Sequence, residues 1–122
     1  MPAPIISYAE LKQLIDSKGT YVLIDVREKN ELEYGMIPTA KNIPLSEFET
    51  AMNLSSEEFK KKYGCGKFLP QDHVIFYCRT GARSDRAAQY AIHKGFHAKN
   101  FKGSIWEWSQ YDPTVRFYGP TP

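Results

Sequence analysis

At 122 residues, with 42% hydrophobic and 25% charged residues, the chain is long enough for one domain with a real core and ordinary in composition for a soluble globular protein. A net charge of +2 with no run of basic residues gives no reason to expect nucleic-acid binding, and no apolar run reaches membrane-spanning length. Two cysteines and three histidines, none at metal-ligand spacing, predict no metal site and no need for a disulfide, which favours a reducing compartment.

The chain opens on Ile5 and Ile6, expected as a short first strand. Ser7 and Glu10 form a Ser-x-x-Glu capping box that starts a helix. The same pattern recurs at Ser46/Glu49, Ser55/Glu58 and Ser104/Glu107, and each is expected to open a helix. Tyr21, Val22, Leu23 and Ile24 make an apolar run of strand length that ends at Asp25-Val26-Arg27. Asp25 therefore sits at a strand's carboxyl end, where α/β folds place functional groups. A short polar helix follows over about residues 29–34 and stops at Gly35. Pro38 and Pro44 bracket a turn and a very short strand over residues 41–43. Residues 46–63 carry two helices separated near Leu54.

The centre of the sequence is the stretch from His73 to Ser84. Val74, Ile75, Phe76 and Tyr77 read as a buried strand. Residues 78–83 form a short loop, and a helix opens near Ser84 with Ala87, Ala88, Ala91 and Ile92 on its apolar face and Gly95 as its stop. After it come a last strand over residues 98–101, a turn at Gly103 and a helix over residues 104–111, in which Trp106 is expected in the core and Trp108 partly exposed. Residues 112–122 are expected as an extended or mobile tail of a single domain spanning 1–122. Strands alternate with helices, so the fold class is α/β, with about five strands in a mostly parallel sheet and helices on both faces.

Strand, tight loop and helix together make an anion site. The first amides of a helix lack internal partners, and the macrodipole adds partial positive charge there. A loop curled so that its amides converge adds more. Cys78 lies at the mouth of that cradle, and residues 78–86 contain three arginines and one aspartate, a local net of +2. A thiolate is favoured there, so Cys78 is the candidate nucleophile. Arg79 and Arg83 are candidate anion-binding forks. Thr80, Gly81, Ala82 and Ser84 complete the ring of amides, Gly81 permitting the turn. The alternative, a structural cysteine at a strand end, does not account for Arg79, Gly81 and Arg83 around it. His73 begins the strand that Cys78 ends, roughly 15 Å away at about 3.3 Å per residue, too far to activate it.

Four segments together resemble the rhodanese family of sulfurtransferases: Asp25-Val26-Arg27; the run from Gly35 to Pro44; Cys78-Arg79-Thr80-Gly81-Ala82-Arg83-Ser84; and Lys102-Gly103-Ser104-Ile105-Trp106-Glu107-Trp108. Met36 departs from the histidine common in the second segment and Lys102 from the first glycine of the last. The resemblance implies a rhodanese-like fold and a sulfurtransferase of the small single-domain kind. It implies that Cys78 takes sulfane sulfur from thiosulfate or a persulfide and passes it to a thiol such as glutathione, to cyanide or to a protein acceptor. Asp25 and Arg27 would then support the site from behind, and no cofactor, nucleic acid or membrane is implied. Cys65 is expected as a loop thiol rather than a resolving cysteine. The opening residues lack the features of a signal or transit peptide, so the expected location is cytoplasmic, with the mitochondrion as the alternative.

Two other classes share such a fold. Cysteine phosphatases and arsenate reductases of this kind use Cys-x-x-x-x-x-Arg, whereas Arg83 follows Cys78 by five positions, giving a smaller ring. Non-catalytic members lack the cysteine, which is present here.

Overall fold

The structure, a computed structural model, describes residues 1–117. Ten elements follow one another: α1 (Tyr8–Asp16), β1 (Val22–Asp25), a 3-10 helix (Lys29–Tyr34), β2 (Lys41–Asn42), α2 (Leu45–Met52), α3 (Ser56–Tyr63), β3 (His73–Tyr77), α4 (Ala82–His93), β4 (His97–Asn100) and α5 (Ser104–Trp108). The strands form a four-stranded sheet in the order β2-β1-β3-β4, and every pairing is parallel. The fifth strand expected at Ile5 and Ile6 is reduced to an isolated parallel bridge between Ile5 and Asn100. Pro2 and Pro4 precede that segment and cannot donate ladder hydrogen bonds, so pairing does not extend toward the N-terminus.

Alternation along the strands sorts the core into two layers. Val74 and Phe76 face one side with Ile24, Val26 and Ala98, against Phe48 and Ala51 of α2, Phe59 of α3 and the alanines of α4. Ile75 and Tyr77 face the other with Leu23, against Leu11 of α1 and Ile105 and Trp108 of α5. Helices thus cover both faces, as a parallel sheet requires.

Two of the four expected capping boxes form. Ser7 and Glu10 exchange side-chain bonds with each other's amides at 3.1 and 3.0 Å, and Ser55 and Glu58 do the same. The other two are not caps. Helix α2 begins one residue before Ser46, whose hydroxyl bonds the Glu28 carboxylate instead. Ser104 is the first residue of α5, with φ of 55°, and its hydroxyl is used at the loop after β3, where it accepts the Cys78 amide.

Two side-chain placements differ from expectation. On α4 the buried residues are Ser84, Ala87, Ala88 and Ala91, a stripe at i, i+3, i+4 and i+7, and Ile92 falls off its edge, 40% exposed. On α5 the tryptophans are reversed: Trp108 is buried and Trp106 is 54% exposed. Ile105 and Trp108, three apart, share the face turned to the sheet, which leaves Trp106 outside. In the expected tail, Val115 is buried and Arg116 N–H donates to Tyr34 O; residues 118–122 lie outside the described residues.

The topology positions the site. From β1 the chain moves outward to β2, then crosses back to β3 and on to β4. The reversal lies between β1 and β3, and parallel sheets offer a crevice at the carboxyl ends of such a strand pair. Asp25 pairs with Tyr77 in register, and Val26 N–H reaches Tyr77 O. Asp25-Val26-Arg27 and Cys78 therefore leave the sheet side by side.

Asp25 and Arg27 form a buried pair, 0% and 1% exposed. Arg27 Nη2 lies 2.7 Å from Asp25 Oδ2, and Arg27 also donates to the carbonyls of Glu31 and Gly35. One guanidinium thus ties the end of β1 to Glu31 within the 3-10 helix and to Gly35 just beyond it. Removing one partner of such a pair leaves a buried charge uncompensated. Arg27→Ala should lower stability by about 3–5 kcal/mol, read as a drop in the urea unfolding midpoint.

Candidate active site

The loop between β3 and α4 is held by its carbonyls. Ile105 and Trp106, at the start of α5, donate their amides to Cys78 O (3.1 Å) and Arg79 O (3.0 Å). In a trans peptide the carbonyl and the next N–H point opposite ways. Drawing these carbonyls toward α5 turns the amides of Arg79 and Thr80 the other way. Asn100 Nδ2 takes the third carbonyl, Gly81 O, at 3.1 Å. Gly81 has φ of 99°, and a Cβ there would meet Lys102 O at 2.5 Å. Both the conformation and the close approach require glycine.

The sulfur lies inside this ring. Gly81 N–H donates to Cys78 Sγ at 3.1 Å. Ser84 Oγ is 3.4 Å from Sγ and donates to Asn100 Oδ1 at 2.6 Å. Cys78 N–H is held by Ser104 Oγ at 3.1 Å, and that hydroxyl donates to Phe101 O. Cys78, Ser84, Asn100 and Ser104 are all buried. Burial alone would raise the Cys78 pKa; the Ser84 hydroxyl and the amides of Ser84, Gly81 and Thr80 outweigh it, and the pKa is lowered. With the neutral thiol, the sulfur donates to Ser84 and Ser84 to Asn100. On ionisation the hydroxyl can turn its proton to the sulfur.

The expected site residues divide into four sets. Cys78, Gly81 and Ser84 meet at the sulfur. Thr80 and Ala82 lie exposed on the rim. The arginines face partners of their own: the Arg79 guanidinium lies over the Phe117 ring, 4.8 Å from its centroid, and Arg83 is bidentate to Glu31 at 2.6 and 2.8 Å. Arg86, part of the local positive count, lines a hollow with Leu45, Phe48 and Tyr90 and does not join the loop. Asp25 and Arg27 leave β1 beside the loop, and Arg27 is joined to it through Glu31, whose carbonyl it holds and whose carboxylate holds Arg83. Cys65 is half-buried, its pKa raised by burial. It lines a hollow with Val22, at the amino end of β1, the far end of the sheet from Cys78. His73 also lies at that end, stacked on His97. Among the described residues no group of three His, Cys, Asp or Glu is placed to hold a metal.

Sequence reasoning does not single out Asn100, Glu31 or the amides of α5, and it reads Ser104 as a helix cap. Asn100 carried a faint signal, a polar residue at the carboxyl end of a strand beside β3.

A family model described as Rhodanese-like domain matches residues 7–111. The chain belongs to the rhodanese-like domain family. Thiosulfate:glutathione sulfurtransferase of Homo sapiens is 39% identical over 108 residues, covering 87% of this chain and 93% of that protein. A putative mitochondrial thiosulfate sulfurtransferase of Schizosaccharomyces pombe is 46% identical over 89 residues, 72% of this chain, and the match spans 63% of that longer protein. The solved structure of a human single-domain sulfurtransferase superposes with a TM-score of 0.85 at 36% identity, covering 90% of this chain and 98% of that one. The rhodanese-like fold and a sulfurtransferase assignment stand on these matches.

Two variants test the cradle of this rhodanese-like loop. Ser84→Ala removes a donor to the thiolate, so the pH midpoint of Cys78 alkylation by iodoacetamide moves upward and the rate at neutral pH falls severalfold. Gly81→Ala forces a side chain into a left-handed conformation costing roughly 1–2 kcal/mol and against Lys102 O. Its sulfur-loading rate should fall at least about tenfold, a loss of ~1.4 kcal/mol or more, measured by stopped-flow.

Proposed function

We propose that this sulfurtransferase works through a persulfide on Cys78, with thiosulfate or a thiol persulfide as donor and a low-molecular-weight thiol of the glutathione type, or cyanide, as acceptor. The observation that carries the reading is the Cys78 sulfur under the Gly81 amide at 3.1 Å, with the Thr80 and Ser84 amides lowering its pKa against burial. Such a ring stabilises a thiolate before the reaction and a persulfide anion after it, with donors already oriented. The thiolate attacks the outer sulfur of the donor. The Cys78 S–S bond forms, and the donor's S–S bond breaks with its electron pair leaving on sulfite or on a thiolate. The acceptor thiolate then attacks the outer sulfur and regenerates Cys78, so the kinetics are ping-pong.

Cys78 is 1% exposed, which restricts the donor to one that presents a single protruding sulfur. Arg79 lies at the rim and is assigned to the anionic end of the donor. Asp25 and Arg27 are assigned the support of the loop from behind. The whole chain is read as one rhodanese-like domain, with a protein thiol as a further acceptor. Among the described residues no helix is long and apolar enough to cross a membrane. A reducing compartment, cytoplasm or mitochondrion, is the reading that two free thiols support, the mitochondrion being in the printed name of one relative.

The test is intact-protein mass after incubation with thiosulfate. Wild type gains one sulfur atom and Cys78→Ser gains none. Release of phosphate from an aryl phosphate with no gain of sulfur would instead support the phosphatase reading.

A further inference from the structure

The fork of Arg83 is already occupied. Its Nη1 and Nη2 donate to Glu31 Oε1 and Oε2 at 2.6 and 2.8 Å, the bidentate geometry in which arginine binds any oxyanion. The carboxylate is fixed from other directions too. Glu31 Oε1 accepts the Glu28 amide at 2.9 Å. The Glu31 carbonyl accepts Arg27 Nη1 at 3.1 Å, and Arg27 is buried against Asp25. Glu31 cannot leave Arg83 without giving up the Glu28 bond, and its backbone cannot shift without disturbing the Arg27 network. The Arg83 hydrogen bonds hold the Glu31 pKa down to about 2, so the carboxylate stays charged throughout the physiological range. Arg83 and Glu31 together carry no net charge at the loop.

We propose that Glu31 is a specificity-determining residue that weights this sulfurtransferase against donors whose transferred sulfur is attached to a sulfonate, such as thiosulfate, and toward persulfides of thiols. A sulfonate-type donor gains from a second guanidinium, but here it must displace a carboxylate that is already bidentate and then lie beside it. A thiol persulfide brings a single charge at the sulfur that enters the amide ring, and that sulfur is joined to an alkyl thiol, with no sulfonate beside it for Arg83 to bind. Specificity then comes from a repulsive element as much as an attractive one. In both cases atoms and charge balance: thiosulfate gives the Cys78 persulfide and sulfite, and a thiol persulfide gives the Cys78 persulfide and the free thiolate. The inference rests on the persulfide reading above and adds the donor class.

The experiment compares Glu31→Gln with wild type, using thiosulfate and glutathione persulfide separately as donors. The readout is kcat/KM for loading Cys78 at low salt, with thermal unfolding measured alongside. Removing the carboxylate charge should raise kcat/KM for thiosulfate about tenfold, mostly through KM, while the value for glutathione persulfide changes less than about twofold. Glu31→Asp retains the charge with a shorter reach, and should show the same selective gain to a smaller extent; it serves if Glu31→Gln unfolds. Equal changes for both donors, or a loss for thiosulfate with an unchanged melting point, would overturn the proposal and leave Glu31 as a support for the loop. If wild type takes no sulfur on Cys78 from either donor, the persulfide reading itself fails, which is a separate outcome.

Discussion

Two hydrogen bonds decide what this loop can do: the amides of Ile105 and Trp106 on the carbonyls of Cys78 and Arg79. A short loop has as many carbonyls as amides, and a thiolate tolerates only amides around it. Something outside the loop must take the carbonyls, or they compete for the space near the sulfur. The start of α5 provides two donors that have no partner within that helix. Asn100 provides a third, to Gly81 O. The cradle is therefore made by elements that never touch the sulfur with a charge.

The same economy governs the charges. Counting residues 78–86 gives a net of +2, and the folded site uses that charge differently. Arg86 is directed to α2, Arg83 is neutralised by Glu31, and Arg79 lies over Phe117. What lowers the Cys78 pKa is led by the Ser84 hydroxyl and by main-chain dipoles. Dipoles cost less to bury than free guanidiniums and do not need counterions. The charged groups instead form a structural chain, Asp25 to Arg27 to Glu31 to Arg83, linking the end of β1 to the first turn of α4. That chain joins the two strands on either side of the topological reversal, so the position of the loop follows the register of β1 and β3.

Much of this was readable in the residues themselves. Periodicity marks the strand before Cys78 and the helix after it, because both are set by local alternation, by the turn at Gly81 and by the stop at Gly95, each glycine with positive φ. The polar turn at 29–34 and the short strand after it were visible through Gly35 and the flanking prolines. The failures were of another kind. Ser46 and Ser104 match a capping pattern, but a hydroxyl bonds whatever the tertiary structure brings nearest, and here that is Glu28 and the nucleophile loop. The tryptophans of α5 are reversed because the phase of a five-residue helix is set by the face it buries, Ser104, Ile105 and Trp108, and not by any repeat in its own sequence.

The sequence by itself determined the candidate nucleophile, its strand-loop-helix setting, the α/β class and the family, since all four reside in short contiguous segments whose chemistry does not depend on distant partners. Only the tertiary structure decided which groups surround the sulfur. Asn100 and Ser104 stand 22 and 26 positions beyond Cys78, and Glu31 stands 52 before Arg83. Hydrogen bonds across such separations depend on strand register and helix phase, which no local pattern of side chains records.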